Sequence, residues 1–224
     1  KFGWFGIPFP KAYGGMGLTS VASCLAVIEL SRVCASHGIT LGAHLGIGCG
    51  PIWLFGSEEQ KKKYLTPLAR GEKLASFGLT EPSAGSDAGG TKTTAELQGT
   101  HYTVKGSKIF ITSAGYADTF VITAITDKSK GKKGISSFIV EKTFPGFILG
   151  KKENKMGWRA SDTRMLHFEN MKVPKENLLG HEGEGFKEFL AVLDGGRVGM
   201  AALSLGIAIG AYEDRDIPGA WIVG

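Results

Sequence analysis

The hydrophobic period of this chain changes twice, and that switch constrains its fold more than any other feature. Residues 1–76 carry apolar side chains at helical spacing. Within 21–33, Val21, Leu25, Ile28 and Leu30 fall along a helical stripe, and Thr19 or Ser20 can cap its start. Residues 41–55 are small and apolar nearly all round, the pattern of a buried helix, and Gly56 stops it. Ser57-Glu-Glu-Gln60 is a capping box, so a further helix is expected over 58–65.

From residue 91 the signal becomes short β-branched and aromatic runs. Residues 91–97 and 101–105 flank Gln98-Gly99-Thr100 as a hairpin. Runs at 108–112, 119–125, 135–141 and 164–168 follow, separated by turns rich in Gly, Pro, Asn and Lys. Strands with no helix between them predict an antiparallel barrel or sandwich. Helical spacing returns over 185–193 and 197–212. The expected class is therefore α+β and multidomain. Residues 1–76 form an N-terminal helical domain incomplete at its start, 77–180 a central β-domain, and 181–224 the beginning of a C-terminal helical bundle.

Composition narrows the options further. A chain of 224 residues, 42% of them hydrophobic, can bury a large core without disulfides. Cys24, Cys34 and Cys49 show no CxxC spacing, which suits reduced thiols in a reducing compartment. No run of 18 consecutive apolar residues occurs, so no membrane span is expected. Residues 1–10 lack the charged start and cleavage pattern of a signal peptide, and without an initiating Met they read as a start inside a longer protein. The net charge of +5 is dispersed; it suits a nucleotide-containing cofactor or an acidic protein. The lysines of 128–133 read as a solvated hairpin tip, not a nucleic-acid patch. His37, His44, His101, His167 and His181 show no metal-ligand spacing.

Among the glycine clusters, Gly14-Gly15-Met16-Gly17 and Gly46-Ile47-Gly48-Cys49-Gly50 follow no strand and do not complete GxGxxG. Turns and close helix packing explain them better than a nicotinamide site. The segment 78–90, GLTEPSAGSDAGG, is different. Pro82 stiffens it, Ala84 and Gly85 let backbone amides approach a ligand, and Thr80 and Ser86 add hydroxyl donors. It lies at the junction of the helical and β regions, where clefts form. By residue chemistry alone it is either a ligand loop or an ordinary connection.

That segment resembles the first signature of the acyl-CoA dehydrogenase family, in its short-chain or butyryl-CoA-type branch. Other family-like pieces occur in order. They are Ile109-Phe-Ile-Thr112, Lys155-Met-Gly-Trp-Arg-Ala-Ser-Asp-Thr163, Phe168-Glu-Asn-Met-Lys-Val-Pro174, Leu178-Leu-Gly180 and Leu193-Asp-Gly-Gly-Arg197. The resemblance runs from Phe2 to Tyr212.

The resemblance implies FAD as cofactor and α,β-dehydrogenation of an acyl-CoA to a trans-2-enoyl-CoA. Electrons would pass to an electron-transfer flavoprotein. FAD would be held by Phe77, Gly78, Leu79, Thr80, Glu81, Gly85, Ser86, Phe110, Ile111 and Thr112, with Phe110 in place of the usual Trp beside the flavin edge. Ser86, Asp194 and Arg197 would meet the substrate, although Asp194 and Arg197 also read as an i,i+3 helix ion pair. The family takes its catalytic base from one of two places: the residue before the Arg of Asp-x-x-Arg, or a loop far downstream. The first is Gly196 here, so no catalytic base is expected in this chain, only beyond Gly224. Residues 214–224, with Pro218 and Gly219, do not resemble the family and suggest a C-terminal truncation. The resemblance also implies a homotetramer for the full-length protein, no nucleic acid, and a cytoplasmic (bacterial) or mitochondrial-matrix (eukaryotic) location. Two alternatives stay open: an incompetent FAD- or CoA-binding fragment, and an oxygen-using relative such as an acyl-CoA oxidase or flavin monooxygenase.

Overall fold

A computed structural model describes residues 2–214. The expectation about the tail beyond Asp214 lies outside the described residues. Helix α1 (Ser20–Val33) begins as anticipated, with Thr19 at the cap position but making no side-chain capping bond. The buried helix starts earlier than its sequence pattern suggests. Helix α2 (Ala35–Ala43) runs through a π-helical turn, His44–Gly48, into α3 (Gly50–Phe55). The capping box is present in full: Ser57 Oγ accepts from the Gln60 amide, and Gln60 accepts from the Ser57 amide. It opens α4 (Glu58–Gln60), which continues through a π turn into α5 (Thr66–Ala69). Pro67 is tolerated there because it lies in the first turn of α5.

The strands are β1 (Ala75–Gly78), β2 (Thr94–Gln98), β3 (His101–Thr112), β4 (Thr119–Ile125), β5 (Ile135–Glu141), β6 (Phe147–Lys152), β7 (Thr163–Pro174) and β8 (Leu178–Leu179). They form one sheet in the order β6-β7-β3-β2-β4-β5-β8, with β1 beside β4. The sheet is not closed, so the barrel expectation is corrected to an open sheet. It is also not purely antiparallel: β1 and β2 both pair with β4 in parallel. Neither parallel neighbour is joined to β4 by a hairpin: β1 enters from the helical layer, and β3 intervenes between β2 and β4 in the chain.

The runs at 101–105 and 108–112 are one strand, kinked at Gly106. A Cβ at Gly106 would lie 2.5 Å from Thr93 Oγ1, so the two backbones approach too closely for any side chain. Strands β4 and β5 are buried on both faces because both faces are covered. Val121 and Ile139 face the helices with Leu41, Ile52 and Phe189, while Phe120, Ile122 and Phe138 face a second core with Val104 and Leu166.

The two expected C-terminal helices are a single helix, α6 (Gly185–Asp214). Each interior glycine of Asp194-Gly-Gly196 costs a helix about 1 kcal/mol, which tertiary packing against α1 offsets. That packing is close. A Cβ at Gly206 would sit 2.4 Å from the Ile28 carbonyl, and one at Gly210 would sit 2.3 Å from that of Arg32. The expectation about membrane spans needs a qualification. Helical segments Ala35–Phe55 and Gly185–Asp214 are long and apolar enough to cross a bilayer by length and composition; 50% and 22% of their apolar windows are buried in the fold. Mean hydropathy reaches that level without any unbroken apolar run.

Candidate functional site: a clasped loop and an apolar cavity

The segment 78–90 leaves β1 and returns to the sheet before β2. It is closed at Glu81 and Ala84, which exchange backbone hydrogen bonds of 3.0 and 3.1 Å around Pro82-Ser83. The Glu81 carboxylate faces inward. It accepts from the Thr91 hydroxyl, from the amides of Lys92 (2.6 Å) and Thr93 (3.1 Å), and from Lys108 Nζ at 2.8 Å. Lys108 is fully buried, and its ammonium also donates to the Leu79 carbonyl at 3.2 Å and to Thr123 Oγ1 at 3.2 Å. Burial pushes the Glu81 carboxyl upward, but the Lys108 charge and the converging donors overcome this and hold it at about 2. Burial draws Lys108 down to about 8, against the pull of Glu81.

The end of β3 is shaped by a bulge between Lys108 and Ile111. Phe110 there has φ +60° and a side chain turned to solvent, 61% exposed. For a bulky residue this left-handed conformation is rare. The neighbouring backbone is braced. Ser76 Oγ donates to the Thr112 carbonyl at 2.6 Å, and the Ser113 amide donates to the Asp162 carbonyl at 2.7 Å. Asp162 in turn accepts from the Gly115 amide and from Arg164 Nε. Lys155 Nζ donates to the Ser161 carbonyl and to Thr163 Oγ1, both at 2.7 Å, so the 155–163 motif is a turn that buttresses the end of β3.

A cavity of about 570 Å³ opens between α2, the π turn and α6. Ile39, Ala43, Ile47, Leu193 and Met200 supply apolar walls, and Thr112 enters from β3. Arg197 is the one charged residue among its described lining, and no carboxylate lines it. Gly196 faces the cavity too. A Cβ there would meet only Ile47 Cγ2, at 3.8 Å, so a side chain would fit.

The fold thus brings Thr112, Gly196 and Arg197 around one cavity. Asp194 does not line it; it lies 3.8 Å from Arg197 Nε, with both side chains more than four-fifths exposed. Gly85 and Ser86 are exposed on the loop. The side chains of Phe77 and Ile111 are buried in the two cores, which leaves only their backbones to a ligand. The Glu81 carboxylate is turned inward, and its carboxylate, amide and carbonyl each hydrogen-bond within the protein, so the side chain shapes the loop. Lys108 was missed. A lone Lys in an apolar strand was its only signal, and strand spacing does not reveal a buried partner 27 residues upstream.

A helical layer, an open sheet and a long helix closing on an apolar cavity form the α–β–α arrangement of one class of enzymes. Family models for the acyl-CoA dehydrogenase N-terminal domain and middle domain match residues 1–72 and 76–171. The chain belongs to the acyl-CoA dehydrogenase family. It is 55% identical over 214 residues to the short-chain-specific acyl-CoA dehydrogenase of Clostridium acetobutylicum, covering 96% of this chain and 56% of that protein. Its fold matches a chain in the structure of the electron transferring flavoprotein of Acidaminococcus fermentans, with TM-score 0.93, 57% identity, and coverage of 94% of this chain and 56% of the other. It also matches an acyl-CoA dehydrogenase from Bacillus anthracis complexed with FAD, with TM-score 0.86 and 47% identity over 91% of this chain and 34% of that one. The chain therefore spans just over half the length of the first two relatives.

Proposed function

We propose that the chain carries the FAD cradle and part of the acyl-CoA site of a short-chain acyl-CoA dehydrogenase. The observation that carries this reading is the meeting of Thr112 with Gly196 and Arg197 at an apolar cavity. The residues present fit FAD. The N–H groups of Thr80, Gly85 and Ser86 meet no protein acceptor among the described residues, and a Cβ at Gly85 would touch nothing within 4 Å. Free amides on an exposed glycine-containing loop suit phosphate and flavin oxygens. Gly78, Leu79, Thr80, Gly85, Ser86 and the backbones of Phe77, Ile111 and Thr112 would hold the cofactor, with Phe110 at its edge. FAD supplies the acceptor for the hydride lost from the β-carbon.

The remaining work falls to the protein. The α-proton of a thioester is weakly acidic, so donors must polarise the carbonyl and a carboxylate must remove the proton. Ser86 and Arg197 are assigned to the acyl-CoA, and the apolar walls exclude water from the acyl chain. Asp194 is kept as a second substrate contact. Gly196 leaves the first family position for the base without a side chain. The domain division at 76 and 180, an electron-transfer flavoprotein as electron acceptor, a homotetramer of the whole protein and a cytoplasmic or mitochondrial-matrix setting belong to the same proposal. A second reading, binding without turnover, is favoured by the lack of a carboxylate among the described cavity lining. The two separate in one experiment: the purified chain is loaded with FAD and mixed anaerobically with butyryl-CoA. Flavin absorbance that bleaches supports dehydrogenation; absorbance that persists leaves binding alone; no flavin uptake sinks both.

A further inference from the structure

We infer that the buried Lys108–Glu81 pair is a positioning unit that sets the backbone of the cofactor loop and, through it, the electrostatics felt by the flavin; this rests on the FAD reading above. The geometry is that of a clasp. Lys108 Nζ holds the outgoing end of the loop at the Leu79 carbonyl, while the Glu81 carboxylate holds the returning end at the Thr91 hydroxyl and the amides of Lys92 and Thr93. The 2.8 Å ion pair joins the two ends, and Thr123 Oγ1 ties the ammonium to β4. The Ile109 amide, next to Lys108, donates to the Thr80 carbonyl at 2.8 Å, so the same strand also fixes Thr80. Between these anchors lie Gly85 and Ser86, whose N–H groups remain unpartnered among the described residues.

A buried ion pair is a poor way to gain stability alone, because desolvation offsets most of the attraction. This one grips both ends of a single loop and leaves the loop's free amides pointing outward. Lys108 and Glu81 also carry opposite charges behind that loop, and each keeps other partners when its mate is removed. Glu81 retains three donors, and Lys108 retains the Leu79 carbonyl, Thr91 Oγ1 and Thr123 Oγ1. Lone Glu81 therefore stays charged near neutral pH, whereas lone Lys108, already drawn down to about 8 by burial, loses the carboxylate that raises it and holds its proton only at lower pH.

The test uses the full chain loaded with FAD, with Lys108→Met, Glu81→Gln and the double variant. Lys108→Met leaves an anion behind the loop and should lower the flavin reduction potential. Glu81→Gln should raise it once the pH is low enough for the lone Lys108 to be protonated, and the double variant should return towards the starting value. A purely structural pair would shift both single variants the same way or not at all, and either result overturns the inference. Amide hydrogen exchange on the chain without FAD gives an independent arm. In Glu81→Gln and the double variant, exchange at Glu81, Ala84 and Ile109 should rise by about tenfold or more while β4 and β5 stay protected. Exchange that rises evenly across the chain, or does not rise, overturns it as well. If the wild-type chain takes up no FAD, the cofactor reading fails, and the exchange arm still decides the clasp.

Discussion

The cofactor loop and the α2–α6 cavity solve opposite problems. The loop is polar, and its inward groups are satisfied by one another: Glu81 alone receives four donors. The cavity is apolar and lined largely by small and aliphatic residues, with one charge among the described residues, Arg197, at its rim. Along α6, Leu190, Val198, Met200, Leu205 and Ile207 are exposed. The loop is thus specified by directional bonds that a single substitution can break. The cavity is specified by volume and by what is missing from it, above all a side chain at Gly196.

The largest expected effect breaks the loop side of this contrast. Lys108→Met strands a buried carboxylate and should cost about 3–5 kcal/mol in urea unfolding, whereas the double variant with Glu81→Gln should cost clearly less. Equal losses would mean that the pair is not coupled. Acid probes the same pair. Glu81 sits near 2 in the fold against an ordinary value of 4.5, so its contribution is complete above 4.5 and disappears as pH falls from there towards 2. The loss should be on the order of 3 kcal/mol and should be absent in Glu81→Gln. Unfolding midpoints between pH 5 and 2 follow it.

On the cavity side, Gly196→Glu tests whether a missing side chain is what separates binding from turnover. A carboxylate there should speed anaerobic bleaching of the FAD-loaded chain by butyryl-CoA by about tenfold or more. An unchanged rate means that the position does not face the α-carbon. The smallest effect is expected at Asp194. If it is only a helix ion pair with Arg197, Asp194→Asn changes stability by a few tenths of a kcal/mol and leaves acyl-CoA affinity alone. A several-fold loss of affinity assigns it to the substrate instead.

Elements with strong local chemistry were legible before folding. Strands β4 and β5 begin and end where the β-branched runs do, and the capping box opens its helix through both predicted bonds. Elements defined by their neighbours were not. Strand β1 has four residues ending in glycine and exists because β4 offers it a parallel edge. Strand β6 pairs with β7 through a run ending in Gly150-Lys-Lys152, which alone reads as a turn. Helix α6 runs unbroken through five interior glycines, two of which, Gly206 and Gly210, let α1 pack closely against it.

The sequence by itself determined the α–β–α order and marked out the loop 78–90, because periodicity, turn chemistry and the motif are local along the chain; the family resemblance then offered Thr112 and Arg197 as site candidates and left Gly196 without a base. Only the tertiary structure decided that the sheet stays open, that the side chains of Phe77 and Ile111 turn inward, and that the Glu81 carboxylate grips Lys108. The reason is physical: whether a charged side chain meets solvent or a buried counter-ion depends on which strand lies behind it, and that strand is set by long-range pairing.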